Sequence, residues 1–403
     1  MEKAPEVRSG PESRISIFMA SGEISGDRQG GHLARTLKSI QPDLRLYGSG
    51  GEKMSEAGVE LLARTSEFGS VGFQESLRFV RPLRAILRRL RETLIAHPPD
   101  LAVLIDSEGF NGILARFLYR EGIPYIYYFP PQVWFWGKWR AKEIARRARL
   151  IVTAFQPEAE IYAAEGGNVF WAGHPLLDIV SADAEPAGVL RRLGLDPERP
   201  AIALLPGSRV QEVEQLTGDM LGAYGILRAA RPDLQCILPV AGPHVRPIIE
   251  REINRRGLSR RVIPVYEHVY AAMSSCRLAI LASGTATLEA ALLGVPMVIC
   301  YRVKPFTYLI GRRLLKSDYI GMPNILLGRE AVPEVLQERV DAQHLASAAG
   351  KILDNPAYAR KIREDLSGLA PMLGERGVLM RVAEKIVTIA REVHAHARYE
   401  SVP

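Results

Sequence analysis

The clearest candidate for chemistry in this 403-residue chain is an acidic residue that directly follows a strongly apolar run. In "LAVLIDSEGFN" a predicted strand ends at Asp106, and Glu108 follows two residues later. Because the carboxyl ends of parallel strands face the ligand cleft of an α/β domain, a carboxylate there is placed to act as a general base on a hydroxyl group. Two interpretations stay open: Asp106 is a base, with Glu108 as a second candidate, or Asp106 caps the next helix.

Two strand-to-helix junctions in the second half of the chain favour anion binding. In "LLPGSRVQEV", Ser208 and Arg209 stand at a predicted helix start, where a cation opposes the helix dipole but suits a bound diphosphate. An exposed arginine paired with Glu212 or Glu214 is the alternative. In "LAILASGTATLEAALLG" a helix is predicted from about Thr285. The small residues before it either let backbone N–H groups approach an anion or only satisfy the turn geometry.

The stretch after the first predicted strand, "SGEISGDRQGGHL", is rich in glycine but matches neither a P-loop nor a dinucleotide-binding fingerprint. We therefore expect its backbone to approach a sugar or phosphate of an acceptor, with Glu23, Ser25 and Asp27 as polar contacts. A second small-residue stretch, residues 48–51, is interpreted as a turn of the same kind.

A basic amphipathic helix is predicted in "SLRFVRPLRAILRRLRETLIAH", where apolar residues recur at helical spacing and six arginines accompany one glutamate. Pro82 predicts a kink or a helix start. Contact with an anionic lipid surface is one interpretation. The residues expected to face the membrane are Leu77, Arg78, Val80, Arg81, Leu83 and Arg84. A surface helix whose apolar stripe packs in the core is the alternative.

Length, composition and charge limit the class of protein. The chain exceeds the size of one ordinary core, so two domains are expected, and 47% hydrophobic with 24% charged residues is typical of folded globular proteins. The net charge of +7 favours an anionic partner: nucleic acid, a phosphate-bearing substrate or a lipid surface. The three cysteines and scattered histidines predict no disulfide framework and no metal site. We find no signal-peptide pattern and no apolar run long enough to span a membrane.

The elements that must position these residues alternate between strands and helices. Runs such as "RISIFMA", "LAVLID", "YIYYF", "LIVTAF" and "VFWAG" predict one parallel sheet, and "AIALL", "QCILPV", "VIPVY", "LAILA" and "MVICYR" predict a second. We expect a loose tail at 1–13, domains at 14–180 and 181–375, and a helical segment at 376–403. The last 70 residues are predicted to form helices only.

Seven motifs, in this order over nearly the whole chain, resemble those of the lipid-A-disaccharide synthases. They are "SGEISGD", "IDSEGFN", "IYYFPPQVWFWGKWR", "WAGHPLLD", "LLPGSRVQEV", "SGTATLEAALLGVPMVICYRV" and "YIGMPNILLGREAVPE". Each motif has modest specificity, whereas the ordered set is highly specific. The resemblance implies a GT-B fold, with two doubly wound Rossmann-like domains, a cleft between them and C-terminal helices.

The resemblance also implies a reaction and its setting. The family transfers 2,3-diacylglucosamine from its UDP conjugate to 2,3-diacylglucosamine 1-phosphate with inversion, which gives a β-1,6 disaccharide 1-phosphate and UDP. No cofactor, metal or nucleic-acid partner is implied. The implied location is the cytoplasm, at the anionic surface of the inner membrane, and the terminal helices resemble those that family dimers exchange.

Individual roles follow from position within these motifs. Asp106 is implied to be the base for the 6-hydroxyl of the acceptor, Arg209 to neutralise the donor diphosphate, and Glu289 to bind ribose. The implied donor-side residues are Ser208, Arg209, Ser283, Gly284, Thr285, Thr287, Glu289, Asn324, Arg329 and Glu330. The implied acceptor-side residues are Glu23, Ser25, Gly26, Asp27, Glu108, Asn111 and Gln132.

The chain departs from the family pattern at the acceptor loop and near it. Glu108 and Gly109 stand where the family usually has Pro and Asp, and Pro130 stands where it has Ser. The sequence "FQPEAEIY" replaces a Phe-Pro-Phe-Glu pattern. Glu108 is then the candidate substitute for the missing aspartate, and the changes indicate a divergent member with altered acyl-chain tolerance.

The aromatic stretch "YYFPPQVWFWGKWR" is interpreted with the family pattern in mind. We expect Pro130, Pro131 and Gln132 to form a loop at the cleft edge, with Trp134 and Trp136 packing beneath it. The next helix is expected to begin at residues 138–140.

Two other hypotheses fit parts of the sequence. A UDP-N-acetylglucosamine epimerase would share the fold, but it would leave the arginine- and leucine-rich residues 77–94 unexplained. A non-catalytic peripheral membrane protein would leave both nucleotide-type junctions without a use.

Overall fold

Two parallel β-sheets organise the chain, which confirms the predicted α/β class. The computed structural model describes residues 14–65, 76–133, 138–181, 185–302 and 318–400, and the side chains of 76–80 and 397–400 lie outside the description. The strands at the centre of each sheet are buried along their whole length. Their continuous apolar runs are therefore explained by helices that cover both faces of each sheet.

The first sheet has seven strands in the order β3-β2-β1-β4-β5-β6-β7. The strands are β1 (Ser16–Ser21), β2 (Arg45–Gly50), β3 (Glu60–Arg64), β4 (Leu101–Ile105), β5 (Tyr125–Tyr128), β6 (Leu150–Thr153) and β7 (Val169–Trp171). The helices among them are α1 (Ile24–Ile40), α2 (Glu52–Glu56), α3 (Ser76–Ala96), α4 (Glu108–Arg120), α5 (Trp139–Arg147), α6 (Gln156–Ala164) and α7 (Leu176–Ile179). The strand order reverses between β1 and β4.

The second sheet has six strands in the order β10-β9-β8-β11-β12-β13 and reverses between β8 and β11. The strands are β8 (Ala201–Leu205), β9 (Gln235–Pro239), β10 (Val262–Val265), β11 (Leu278–Ala282), β12 (Met297–Tyr301) and β13 (Glu334–Leu336). The helices up to β13 are α8 (Pro186–Arg192), α9 (Val210–Ala230), α10 (Arg246–Arg255), α11 (Val269–Ser274), α12 (Thr285–Leu292) and α13 (Met322–Leu327). After it come α14 (Ala342–Asp354), α15 (Pro356–Ser367), α16 (Leu369–Met372) and α17 (Val378–Glu400).

Two predictions about local structure are wrong. Residues 48–50 belong to β2 and do not form a turn. A Cβ atom on Gly48 would lie 1.9 Å from the carbonyl oxygen of Met19, so glycine is needed there for close strand pairing and not for a ligand. The last 70 residues are also not helical only, because Glu334–Leu336 adds an edge strand to the second sheet.

Helix α3 confirms that the apolar stripe of the basic amphipathic pattern packs in the core, and contact with a lipid surface stays a prediction. Its apolar side chains Leu87, Leu90 and Leu94 are buried in the core of the first sheet. Arg81 and Arg84 are exposed to solvent. Pro82 lies inside the helix, six residues after its first residue. Leu77, Arg78 and Val80 have side chains outside the described residues.

The C-terminal helix α17 returns to the first sheet. Its buried residues Val382, Ile386 and Ala390 share a core cluster with Ile17 of β1 and Val103 of β4. The carboxylate of Asp178, after β7, accepts hydrogen bonds from the backbone N–H groups of residues 377 and 379 at 2.6 and 2.8 Å. Asp178 therefore fixes the start of α17 against the first domain.

We expect Asp178→Ala to loosen the docking of α17, because two backbone N–H groups lose their acceptor. The free energy of unfolding should fall by about 1–2 kcal/mol, measured by urea denaturation. Limited proteolysis should also cleave α17 faster than in the unmodified protein. Asp341→Ala is the matched control, since Asp341 caps α14 through the N–H of His344 at 2.9 Å. Equal cleavage of α17 in both variants would contradict the role given to Asp178.

Candidate functional site

Four strand-to-helix junctions bring the main predicted residues to the two points where strand order reverses. In the first sheet these are the junctions after β1, with Glu23 and Ser25, and after β4, with Asp106. In the second sheet they are the junctions after β8, with Arg209, and after β11, with Thr285. Ligands of doubly wound domains bind in the crevice outside such reversal points. A hydrogen bond between Glu23 and Arg209 shows that the two crevices face each other.

The junction after β4 holds Asp106 in an unusual backbone conformation. Asp106 and Ser107 have φ angles of 51° and 50°, in the left-handed region that non-glycine residues rarely adopt. The side chain of Asp106 is half-buried and accepts a hydrogen bond from the Ser25 hydroxyl at 3.4 Å. The N-cap of α4 is Ser107, so the interpretation of Asp106 as a helix cap is wrong.

The amide of Asn111 holds this junction in place. Its Nδ2 group donates to the backbone carbonyls of Ala20, Ile105 and Asp106 at 3.2, 2.8 and 2.8 Å. Asn111 is fully buried. The predicted acceptor-side residue thus lies beneath the loop, where it ties the ends of β1 and β4 together.

The environment of Asp106 makes its carboxylate more basic than usual. Burial is the main cause and Glu23 adds to it, which raises the pKa of Asp106 to about 6, against the opposing effects of the Ser107 N–H, the Ser25 hydroxyl and Arg209. At neutral pH the group is therefore mostly ionised and still ready to accept a proton.

A buried polar cluster lies behind Asp106. Glu158 of α6 is buried, and its Oε1 atom has no hydrogen-bond partner. Burial, and then the charge of Asp106, raise the pKa of Glu158 well above its usual value, against the opposing effect of a backbone hydrogen bond from Ala154. Tyr162 donates to the carbonyl of Pro131 at 2.9 Å, which ties α6 to the loop after β5.

Glu108, the second candidate base, is engaged by a cation. Its carboxylate forms an ion pair with Arg140 in the first turn of α5. This pair connects the start of α4 to the helix that begins at Trp139, which agrees with the predicted helix start. Trp139 itself is 71% exposed, so its indole ring lies at the surface. Trp134 and Trp136 lie outside the described residues, and Gln132 is exposed in the loop before them.

Arg209 lies at the N-cap of α9 and contacts carboxylates from both domains. Its Nη1 atom is 3.4 Å from Oε1 of Glu212, and its Nη2 atom is 3.2 Å from Oε2 of Glu23. Burial opposes the charged form, but Glu212 and Glu23 raise the pKa of Arg209 above its ordinary value. The neighbouring Ser208 is exposed, and its carbonyl is 2.8 Å from Nε2 of His244.

The junction after β11 has an open, small-residue surface. Gly284 has a φ angle of 155° with open space where a Cβ atom would lie, and Thr285 is exposed at the helix start. The hydroxyl of Thr287 is used internally, since it donates to the carbonyl of Gly284 at 2.7 Å. Ser283 similarly donates to the carbonyl of Ile320 at 3.0 Å. The backbone N–H groups at the start of α12 are therefore the groups that can meet an anion.

Glu289 is positioned by a tyrosine from a neighbouring helix. The hydroxyl of Tyr270 in α11 donates to Oε1 of Glu289 at 2.9 Å. Arg28 of α1, in the first domain, is close enough for its charge to act on Tyr270. The predicted ribose-binding carboxylate is thus connected to the acceptor-side domain through one intermediate side chain.

Several predicted site residues form hydrogen bonds or ion pairs that stabilise other parts of the fold. Asp27 accepts from the backbone N–H groups of residues 51, 53 and 54 at 2.7–3.1 Å and so fixes the start of α2. Asn324 is fully buried and bonds the backbone of residues 331 and 332 and the carboxylate of Glu334. Arg329 forms a two-pronged ion pair with Asp365 of α15, with both distances 2.8 Å.

Glu330 is exposed and acts electrostatically on Tyr358 of α15. Gly26 packs against protein: a Cβ atom there would lie 2.5 Å from Oγ of Ser21. Gly26 is therefore used for packing within the protein. Among the described residues, no group of three His, Cys, Asp or Glu side chains is placed to hold a metal ion.

Sequence reasoning missed four residues that the structure brings to this region. Arg28 and Tyr270 link the domains, Arg140 pairs with Glu108, and Glu158 lies behind Asp106. Glu158 belongs to "FQPEAEIY", which had been noted only as a departure from a family pattern. Arg28 follows Asp27 within a glycine-rich motif, and nothing in its spacing distinguishes it from other surface arginines.

Comparison with known proteins gives both sequence and fold matches. The family model described as "Lipid-A-disaccharide synthetase" matches residues 17–379. A lipid-A-disaccharide synthase of Geobacter sulfurreducens is 40% identical over 367 residues, which cover 91% of this chain and 95% of the relative.

Two solved structures show a similar fold at low identity. A putative UDP-N-acetylglucosamine 2-epimerase from Listeria monocytogenes has a TM-score of 0.59 at 15% identity, over 94% of this chain and 98% of that one. The calicheamicin glycosyltransferase CalG4 has a TM-score of 0.57 at 15% identity, over 94% and 98% of the two chains. These matches support the GT-B fold and nothing finer.

Asp106→Asn should stabilise the folded protein, and the gain should grow with pH. The native pKa of about 6 lies above the unfolded value near 4, so the native state is penalised as pH rises through this window. Below about pH 4 that penalty is absent, and above about pH 6 it is complete. We expect a gain of about 1–2 kcal/mol at pH 7.5, allowing for partial exposure, and a smaller gain at pH 4.5, by chemical denaturation. A gain that does not depend on pH would mean that asparagine only relieves the left-handed backbone.

Proposed function

The chain belongs to the lipid-A-disaccharide synthase family, and we propose that Asp106 is the general base of its glycosyl transfer. The donor is UDP-2,3-diacylglucosamine and the acceptor is 2,3-diacylglucosamine 1-phosphate. The observation that carries this proposal is a carboxylate with a pKa of about 6, held in a strained junction at one reversal point and near enough to Arg209, at the other, to be affected by its charge. The residue types match the two demands of the reaction, proton removal and stabilisation of a departing diphosphate.

The proposed reaction is a direct displacement. Asp106 takes the proton of the acceptor 6-hydroxyl, and the freed electron pair of that oxygen forms a bond to the anomeric carbon of the donor. The bond from that carbon to the diphosphate oxygen breaks on the opposite face, and UDP leaves with the electron pair. The configuration at the anomeric carbon is therefore inverted.

Stabilisation of the departing UDP falls to the second domain. Arg209 and the N–H groups at the start of α12 lie at the neighbouring ends of β8 and β11, so they can act on the same diphosphate. Glu289, held by Tyr270, would accept a hydrogen bond from a ribose hydroxyl. Asp106 thus acts on the attacking oxygen, and Arg209 acts on the leaving diphosphate.

Family membership favours this function over the two alternatives. The likeness to a UDP-N-acetylglucosamine epimerase concerns the fold alone. A non-catalytic protein would have no use for a strained junction that holds a basic carboxylate opposite an arginine. The other candidate base, Glu108, is held by Arg140 and is the less available proton acceptor.

We expect Asp106→Ala to lower kcat by about 100-fold or more, the contribution typical of a general base. Turnover is measured as UDP release with both acylated sugars supplied. In the unmodified enzyme the rate should fall as pH drops below about 6, because protonation removes the base. Glu108→Gln is the comparison variant, and its turnover rate should fall over the same acidic pH range. Near-normal turnover of Asp106→Ala, with loss of turnover in Glu108→Gln, would move the base to Glu108.

We also propose that α3 places the protein on an anionic lipid surface. Within the described ranges, no helix has the length and apolar composition needed to cross a bilayer. Support for peripheral contact comes from α3, which exposes Arg81, Arg84, Arg88 and Arg89 while Leu87, Leu90 and Leu94 pack inward. An acylated substrate has to be reached at such a surface. Inner-membrane association in the cytoplasm is the corresponding location.

Replacing Arg81, Arg84 and Arg88 by glutamine should weaken binding to vesicles that contain phosphatidylglycerol by about tenfold or more. Binding is measured by co-sedimentation at low salt, with uncharged phosphatidylcholine vesicles as the lipid control. The matched control replaces three exposed arginines near α10, at positions 251, 255 and 260, with the same change of charge. Equal weakening in both triple variants would indicate a general charge effect and not a membrane-binding surface on α3.

A homodimer that exchanges its C-terminal helices is a further proposal. In support, α17 belongs by sequence to the end of the second domain but packs on the first. The same apolar face would fit the first domain of a second copy, which is how domain swapping reuses intramolecular contacts. Sedimentation equilibrium measures the oligomeric state directly.

A further inference from the structure

In the free protein the proposed diphosphate-binding cation is already occupied. Arg209 contacts Glu212 of its own helix at 3.4 Å and Glu23 of the other domain at 3.2 Å. Glu23 precedes α1 and is placed by the same junction that brings Ser25 to Asp106. The Glu23–Arg209 pair therefore spans the cleft through which a donor diphosphate has to enter.

The pair is weak enough to be exchanged. The side chains of Arg209 and Glu23 are 51% and 32% exposed, and exposed ion pairs contribute only about 0.2–1 kcal/mol. A diphosphate brings more negative charge and more acceptor oxygens than one carboxylate, and guanidinium groups bind phosphate oxygens in a two-pronged geometry. The donor is thus the stronger partner for Arg209.

We propose that Glu23 is a positioning residue that competes with the donor diphosphate for Arg209, and that donor binding releases the Glu23 carboxylate to act on Asp106 alone. The inference rests on the proposed function, because it takes Arg209 as the diphosphate site and Asp106 as the base. In this role the Glu23 side chain both limits the affinity for the donor and makes Asp106 a stronger proton acceptor.

The charges around Asp106 give the direction of this effect. Glu23 raises the pKa of Asp106, whereas Arg209, the Ser25 hydroxyl and the Ser107 N–H lower it. Glu158, from α6, interacts electrostatically with Asp106, and the hydroxyl of Tyr127 in β5 donates to the Asp106 carbonyl at 3.5 Å. When a diphosphate neutralises Arg209, Arg209 lowers the pKa of Asp106 less. Glu23 still raises this pKa. Asp106 is then a stronger base in the donor complex than in the free enzyme.

A second contact at the same end of α1 supports the coupling. The charge of Arg28 acts on Tyr270, whose hydroxyl donates to Glu289 at 2.9 Å. Glu23, directly before α1, thus contacts the proposed diphosphate-binding residue, and Arg28 in α1 lies near the tyrosine that positions the proposed ribose-binding residue. Occupation of the donor site acts on the helix that also carries Ser25.

The test is the affinity for UDP, measured by isothermal titration calorimetry on the full chain. We expect Glu23→Gln to bind UDP about two- to fivefold more tightly than the unmodified protein, because a competing carboxylate is removed. Arg209→Ala should bind UDP more weakly, and adding Glu23→Gln to it should give no further gain. A residue with a merely structural role would not increase affinity when it is replaced.

The outcomes distinguish a failure of the proposed Glu23 competition from a failure of the proposed donor site at Arg209. If Arg209→Ala weakens UDP binding but Glu23→Gln leaves it unchanged or weaker, the competition is overturned while the donor site stands. If Arg209→Ala has no effect on UDP binding, the donor site and the competition both fail. Glu60→Gln is the matched control, since Glu60 forms a similarly exposed pair with Arg45 at 3.4 Å, and it should not change UDP affinity.

The pH profile of kcat provides a second readout. Glu23→Gln should move the acid limb to lower pH, because the pKa of Asp106 loses a raising charge. Glu23→Asp, which keeps the charge, should retain a limb close to that of the unmodified enzyme. An unchanged limb in Glu23→Gln would overturn the action of Glu23 on Asp106.

Discussion

The left-handed backbone at Asp106 and Ser107 is the constraint on which the proposed catalytic arrangement depends. Each such non-glycine residue costs about 1–2 kcal/mol, so two in succession persist only where other contacts hold them. The buried amide of Asn111 supplies those contacts, since it bonds the carbonyls of Ala20 and Ile105 as well as that of Asp106. The chain is therefore turned at the end of β4 so that the Asp106 carboxylate faces the cleft and does not cap α4.

Close approach of α1 to this junction is the second requirement. A Cβ atom on Gly22 would lie 2.2 Å from Oγ of Ser107, and one on Gly26 would lie 2.5 Å from Oγ of Ser21. Any side chain at either position would push α1 outward and carry Ser25 away from Asp106. The glycine-rich motif thus serves packing between protein segments, and through that packing it brings polar groups to the base.

The sequence predicted the location of the site better than the use of each residue. Asp106 and Arg209 were predictable because apolar runs locate strand ends and strand ends locate the cleft, whereas Glu289 was indicated only by the family resemblance. Asn111 and Asp27 were not, because their partners lie far away in the chain: Asn111 bonds Ala20, 91 residues earlier, and Asp27 bonds the backbone of residue 51. Whether a polar side chain in a motif points into the cleft or under it is decided by such distant contacts.

Arg209 has to meet two opposed electrostatic requirements, one set by Asp106 and one by the diphosphate. These requirements explain why Arg209 is paired in the free protein. A partly buried cation without a partner would lower the pKa of the nearby Asp106 and weaken it as a base. A cation permanently neutralised by a strong ion pair would fail to stabilise a departing diphosphate. The partly exposed pairs with Glu23 and Glu212 satisfy both demands, because they screen Asp106 when no ligand is bound and yield to a ligand of higher charge. The weakness of these pairs is what allows one arginine to serve a cleft that also has to keep a basic carboxylate.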